Sequence, residues 1–143
     1  MSGAKQYARK IRDAWSFCLC SYAEQSAWAK RLSDVHARDF MLAGERRKFE
    51  KLPNEFIVYR GFQVRCREGL SWSLSRDVAE MFANLNEDLP KGKVVKRRVR
   101  KSEVFTLIDN DEQEIIILPR TLNRKRNAKS EKINDHFRST ASS

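Results

Sequence analysis

Three short stretches of this chain carry side chains that could do chemistry: Tyr59-Arg60-Gly61, Ser71-Trp72-Ser73 and Glu112-Gln113-Glu114. Arg60 stands inside the apolar run FIVYRGF, and an arginine buried there needs an anion. Ser71 and Ser73 flank Trp72, so in a strand both hydroxyls turn to one face. Glu112 and Glu114 are two residues apart, and a strand conformation would project both from one face as well. The apolar run Ile115–Leu118 follows directly, which sets the acidic pair at the lip of a core. Singly, each stretch has a plainer reading: an edge arginine, the wet face of a strand, two solvated carboxylates. Together they are harder to dismiss, with an anion needed at Arg60 and an acidic pair at the lip of a core.

The elements that must position these residues follow from periodicity. Residues 4–23 place Tyr7, Ala8, Ile11, Ala14, Trp15, Cys18, Leu19 and Tyr22 at helical spacing with one buried face. A second helical pattern runs from Ala27 through Trp28, Leu32, Val35, His36 and Phe40 to about Phe49, and Leu52-Pro53-Asn54 breaks it. The aromatic residues of this first third are expected in the core. Beyond Pro53 the texture becomes β-branched and aromatic. Residues 56–62, 69–75, 93–99, 103–108 and 114–119 read as strands. Ser75 fits as the N-cap of one intervening helix, with Asp77 in its first turn and Val78, Ala79, Phe82 and Ala83 as its apolar stripe. Helices first, then short strands around one helix, is an α+β pattern.

The chain of 143 residues suffices for one domain with a real core. The expected division is a helical part over 1–51, mostly strands over 52–119, and a basic tail over 120–143. Three cysteines (Cys18, Cys20, Cys66) with no CxxC spacing argue against a disulfide framework or a zinc site. Cys18 and Cys20 read as buried thiols. His36 and His136 are far apart in sequence and read as structural or solvated. An apolar leader and a long apolar run are both absent, so a cytoplasmic protein without membrane contact is expected. The net charge of +10 suits an anionic partner, though solubility alone would also explain it. The charge is uneven: residues 91–101 hold seven basic and no acidic side chains, and residues 102–118 hold five acidic and no basic ones. That switch fits a local acidic site inside a basic protein.

At these residues the sequence resembles the mono-ADP-ribosyltransferases of the Arg–Ser–Glu class, found among bacterial toxins and phage enzymes. That family carries an aromatic-Arg-Gly strand, an STSLSxxxAxxFA segment and an ExE turn followed by four apolar residues and proline. Ser71-Trp72-Ser73-Leu74-Ser75 with Ala79, Phe82 and Ala83 matches the second, and Glu112 through Pro119 matches the third. The likeness covers roughly residues 56–119. It departs at Trp72, where the family usually has threonine; in a strand that ring faces away from the two serines.

The resemblance implies a pair of small β-sheets with one intervening helix, NAD as substrate, and no metal. It makes Glu114 the catalytic residue, stabilising the positive charge that develops on the ribose as nicotinamide leaves, much as glycosidases use carboxylates. Glu112 would orient or deprotonate the acceptor. Arg60 would hold the pyrophosphate by forked hydrogen bonds. Ser71 would brace Glu114 and the ribose, Ser73 would support its strand, and Gly61 would let the backbone approach the ligand. Tyr59 and Trp72 complete the expected NAD-binding set. The Glu-x-Glu pair implies arginine on a protein as acceptor, in a host or cellular macromolecule. Residues 91–101 and the tail could add contact with nucleic acid or a nucleic-acid complex. The rival readings are a non-catalytic basic nucleic-acid-binding module, an inhibitor on a degenerate transferase fold, and an RNA 2′-phosphotransferase, which this histidine-poor chain fits badly.

Overall fold

The computed structural model describes residues 3–15, 22–63 and 69–119; the expected buried thiols Cys18 and Cys20, together with Cys66, His136 and the basic tail, lie outside these. The described residues form an α+β fold. Helices α1 (Gly3–Trp15), α2 (Tyr22–Ser33), α3 (Ala37–Phe40) and α4 (Ala43–Glu50) precede β1 (Glu55–Phe62) and β2 (Ser71–Ser73). Helix α5 (Arg76–Ala83), β3 (Lys93–Arg100), a 3₁₀ turn at Lys101–Glu103, β4 (Thr106–Ile108) and β5 (Glu114–Ile116) complete it. No helix among the described residues is long and apolar enough to cross a membrane.

The second helical pattern divides into three short helices. Helix α2 ends where Asp34 and Val35 donate to the carbonyls three residues back, and His36 and Leu42 are extended before α3 and α4. Leu42 has no side-chain acceptor, so Glu45 reaches back from the first turn of α4 to accept from the Leu42 N–H at 2.8 Å. Residues 56–62 and 93–99 become strands nearly as the sequence predicts. Of the 103–108 segment only Thr106–Ile108 is strand; Glu103 ends the 3₁₀ turn, and Val104 and Phe105 lie between.

The strands run antiparallel in the order β3-β1-β2-β5-β4. A pair of small sheets was the expectation, and the structure corrects it: the strands form one five-stranded sheet. The seam is narrow, however. β1 pairs with β3 along its whole length, but with β2 only at Tyr59↔Ser73. No further β1–β2 register pair forms among the described residues, and the candidate site residues collect at this seam.

Alternation in the strands divides the core in two. On one face, Ile108, Ile116 and Leu118 pack with Trp15, Trp28, Leu32 and Phe40 of the helical layer. On the other, Leu107, Ile115 and Ile117 pack with Trp72, Val58 and Val99. Residues Ile115 to Leu118 are all buried, so the acidic pair does stand at the edge of a core.

Candidate active site

The first shared row of the sheet face is built by register. Ser73 lies opposite Tyr59 on β1 and opposite Glu114 on β5, so all three share one face. Ser71, two residues away on β2, points the same way, and its hydroxyl donates to Glu114 Oε2. The same oxygen accepts from the indole Nε1 of Trp15 at 3.1 Å. Two donors therefore fix a carboxylate that is only 8% exposed. Buried charge is tolerated only with such satisfaction. Both donors converge on Oε2, and Glu114 lines the cavity.

Ser73 binds elsewhere. Its hydroxyl donates to the Glu112 carbonyl at 2.6 Å and accepts from the Ser75 N–H at 3.0 Å. It thus ties the end of β2 to the turn before β5 and to the start of α5. Ser75 caps that helix as expected, accepting from Val78 N–H.

The expectation that Glu112 and Glu114 project from one strand face is corrected by the backbone. Glu112 lies in a turn, and Gln113 between the two has φ 47°. A side chain in this left-handed region costs about 1–2 kcal/mol. Asn110 holds the turn closed: its side chain accepts from Glu112 N–H and its carbonyl from Gln113 N–H. The kink, not strand alternation, brings both carboxylates to one cavity. Burial, then the charges of Glu114 and Asp111, raise the Glu112 carboxyl above its ordinary value.

Arg60 lies at the seam of the sheet and is 8% exposed. Its Nη1 donates at 2.7 Å to the carbonyl of Ser71, a strand carbonyl near the Tyr59↔Ser73 pair. Gly69 makes room for it: a Cβ there would lie 2.3 Å from the guanidinium carbon. Gly61 borders the cavity and also has a packing task that the sequence does not announce. A Cβ at this position would lie 1.7 Å from the carbonyl oxygen of Ala79, so the glycine lets α5 approach β1. Trp72 borders the cavity, but its ring belongs to the second core, with Arg97 stacked at 5.8 Å and its Nε1 donating to the Gly69 carbonyl. The Trp72 ring therefore packs in the core of the other face, away from the two serines.

These residues surround one cavity of about 340 Å³, a volume within the range of small-molecule sites, roughly 300–1,000 Å³. Tyr59, Arg60, Gly61, Ser71, Trp72, Ser73, Glu112 and Glu114 all border it. Sequence reasoning missed three contributors. Helical periodicity places Trp15 in the core alone, yet a buried indole N–H needs an acceptor, and Glu114 supplies it. Gln25, whose side chain accepts from Leu70 N–H at 3.0 Å, and Asn110 carried no such signal. No group of three or more His, Cys, Asp or Glu among the described residues is placed to hold a metal ion. Comparison with protein-family models, curated proteins and solved structures returned no match for this chain.

Proposed function

We propose that the chain is a mono-ADP-ribosyltransferase that moves ADP-ribose from NAD to an arginine of a protein. The observation that carries this reading is Glu114: a buried carboxylate held by Ser71 and Trp15 through one oxygen, with Arg60 and Glu112 bordering the same cavity. In the reaction the bond from ribose C1′ to the nicotinamide nitrogen breaks, and nicotinamide leaves with the electron pair. Positive charge develops on the sugar, and the fixed carboxylate of Glu114 stabilises it without reorganising. A guanidinium nitrogen of the acceptor then bonds to C1′, and its proton passes to Glu112. A group with a raised carboxyl pKa is better suited to take that proton than an ordinary glutamate. Arg60 supplies the cation for the pyrophosphate.

The test is incubation of the protein with labelled NAD and a cell lysate, beside Glu114→Gln. Label transfer should fall about 10²–10³-fold in the variant. Absence of both transfer and nicotinamide release in the parent protein would overturn the reading in favour of a non-catalytic binding module.

A further inference from the structure

The row of partners that builds the site continues across the whole sheet: Lys96, Tyr59, Ser73, Glu114 and Ile108 lie opposite one another in turn. Lys96 therefore shares a sheet face with Glu114, and so do Arg98 and Arg100 beyond it on β3, an outer strand. Helix α5 covers one end of this face at Gly61. Toward the other end Lys96, Arg98, Arg100 and Glu55 are exposed, and Ile57 is 43% exposed between them. The carboxylate of this open patch, Glu55, is shared between Arg98 at 3.1 Å and Arg100 at 3.9 Å. Both arginines are about three-quarters exposed, and such pairs in water hold weakly and exchange readily.

The face is thus electrically polarised: cations at the outer strand, carboxylates in the cavity. We infer that the open patch docks an extended acidic segment of a partner protein and delivers an arginine of that segment to the cavity; that the partner is an acceptor and its arginine is modified rests on the transferase reading. Acidic side chains are attracted to Lys96, Arg98 and Arg100 and repelled by Glu112 and Glu114, while an arginine has the opposite preference. A nucleic acid has no cation to present to the carboxylates, and its phosphates are repelled by Glu55 as well as by Glu112 and Glu114. Three strand spacings separate Lys96 from Glu114, roughly 14 Å at about 4.8 Å each. An extended chain crosses that in about four residues. The expected acceptor therefore carries its acidic run about four residues from the modified arginine.

A fluorescein-labelled peptide of that design, one arginine four residues from a run of Asp and Glu, tests this by anisotropy with the full chain. Expected are binding that weakens with salt and a loss of about tenfold or more in Lys96→Glu/Arg98→Glu, whose thermal melt should match the parent because both sites are exposed. Glu114→Gln should weaken the binding by less than the double variant does, because it removes one of the two carboxylates that attract the arginine and leaves the cationic patch intact. Equal affinity of the parent and the double variant would overturn the inference. So would a single-stranded oligonucleotide that binds the same residues more tightly than the peptide. Binding lost in the double variant, with no label transferred from NAD to any peptide, would uphold the docking surface while sinking the transferase reading.

Discussion

Glu112 is the residue at which chemistry and stability oppose each other. Its carboxyl is raised above 4.5, first by burial and then by the charges of Glu114 and Asp111. The native state therefore holds this proton more tightly than the unfolded chain does. Stability falls as pH rises from the ordinary value to the raised one, and the loss is complete above it. Glu112→Gln should accordingly melt at a higher temperature than the parent at pH 7, and at a similar one at pH 3. On the transferase reading, arginine modification should show an acid limb above pH 4.5 that disappears with the variant's activity, whereas nicotinamide release without acceptor should not share it. Trp15→Phe asks a different question. It keeps a ring against Trp28, at present 5.6 Å away and edge-on, but removes the donor to Glu114. A hydrogen bond to a charged group is worth roughly 1.5–3 kcal/mol, so on the transferase reading kcat should fall about tenfold or more with KM for NAD little changed.

At the level of elements, the contact between α5 and β1 depends on small residues. Gly61 faces the Ala79 carbonyl, and Gly92 approaches the Phe62 and Ala83 carbonyls almost as closely. Gly61→Ala has no flexible side chain to displace, only backbone, so the helix itself must move. Overpacking of this kind costs about 1–3 kcal/mol, and urea denaturation should show a loss at the upper end of that range. Much of this element layout was legible in the sequence. The Ser75 cap, the α5 stripe and the strands at 55–62 and 93–100 rest on local rules of periodicity and capping. The purpose of Gly61 was not legible, because a glycine in a strand signals a close approach without saying what approaches. The turn at Gln113 was hidden for a related reason: nothing in Glu-Gln-Glu announces a left-handed residue, and Asn110, which holds the turn, lies three positions away.

Across the whole molecule, the helical layer and the site are joined by one buried ion pair. Arg12 of α1 meets both oxygens of Glu45 at 2.6 and 2.7 Å, and the same carboxylate accepts from the N–H groups of Leu42 and Asp109. It therefore locks α1, which carries Trp15, to the segment that leads into the Glu112 turn. Burial alone would raise the Glu45 carboxyl, but its bonds with Arg12, Leu42 and Asp109 outweigh that and lower it. Its contribution is present above the ordinary carboxylate range and is lost as pH falls through the lowered value. Glu45→Gln leaves a mostly buried guanidinium without its charge partner and should cost about 3–5 kcal/mol at pH 7. Melts between pH 7 and pH 3 should show a shallower acid loss than in the parent.

The sequence by itself determined the α+β order, the helix cap and the buried run after Glu114. Each of these depends on the identity of neighbours within a few positions, which is what periodicity and capping report. Only the tertiary structure decided that the strands make one sheet with a narrow seam, that Trp15 donates to Glu114, and that Lys96 shares a row with the site. Those facts join residues up to 99 positions apart. They depend on which backbone groups are left to pair once the chain has closed on itself, and no local pattern encodes that choice.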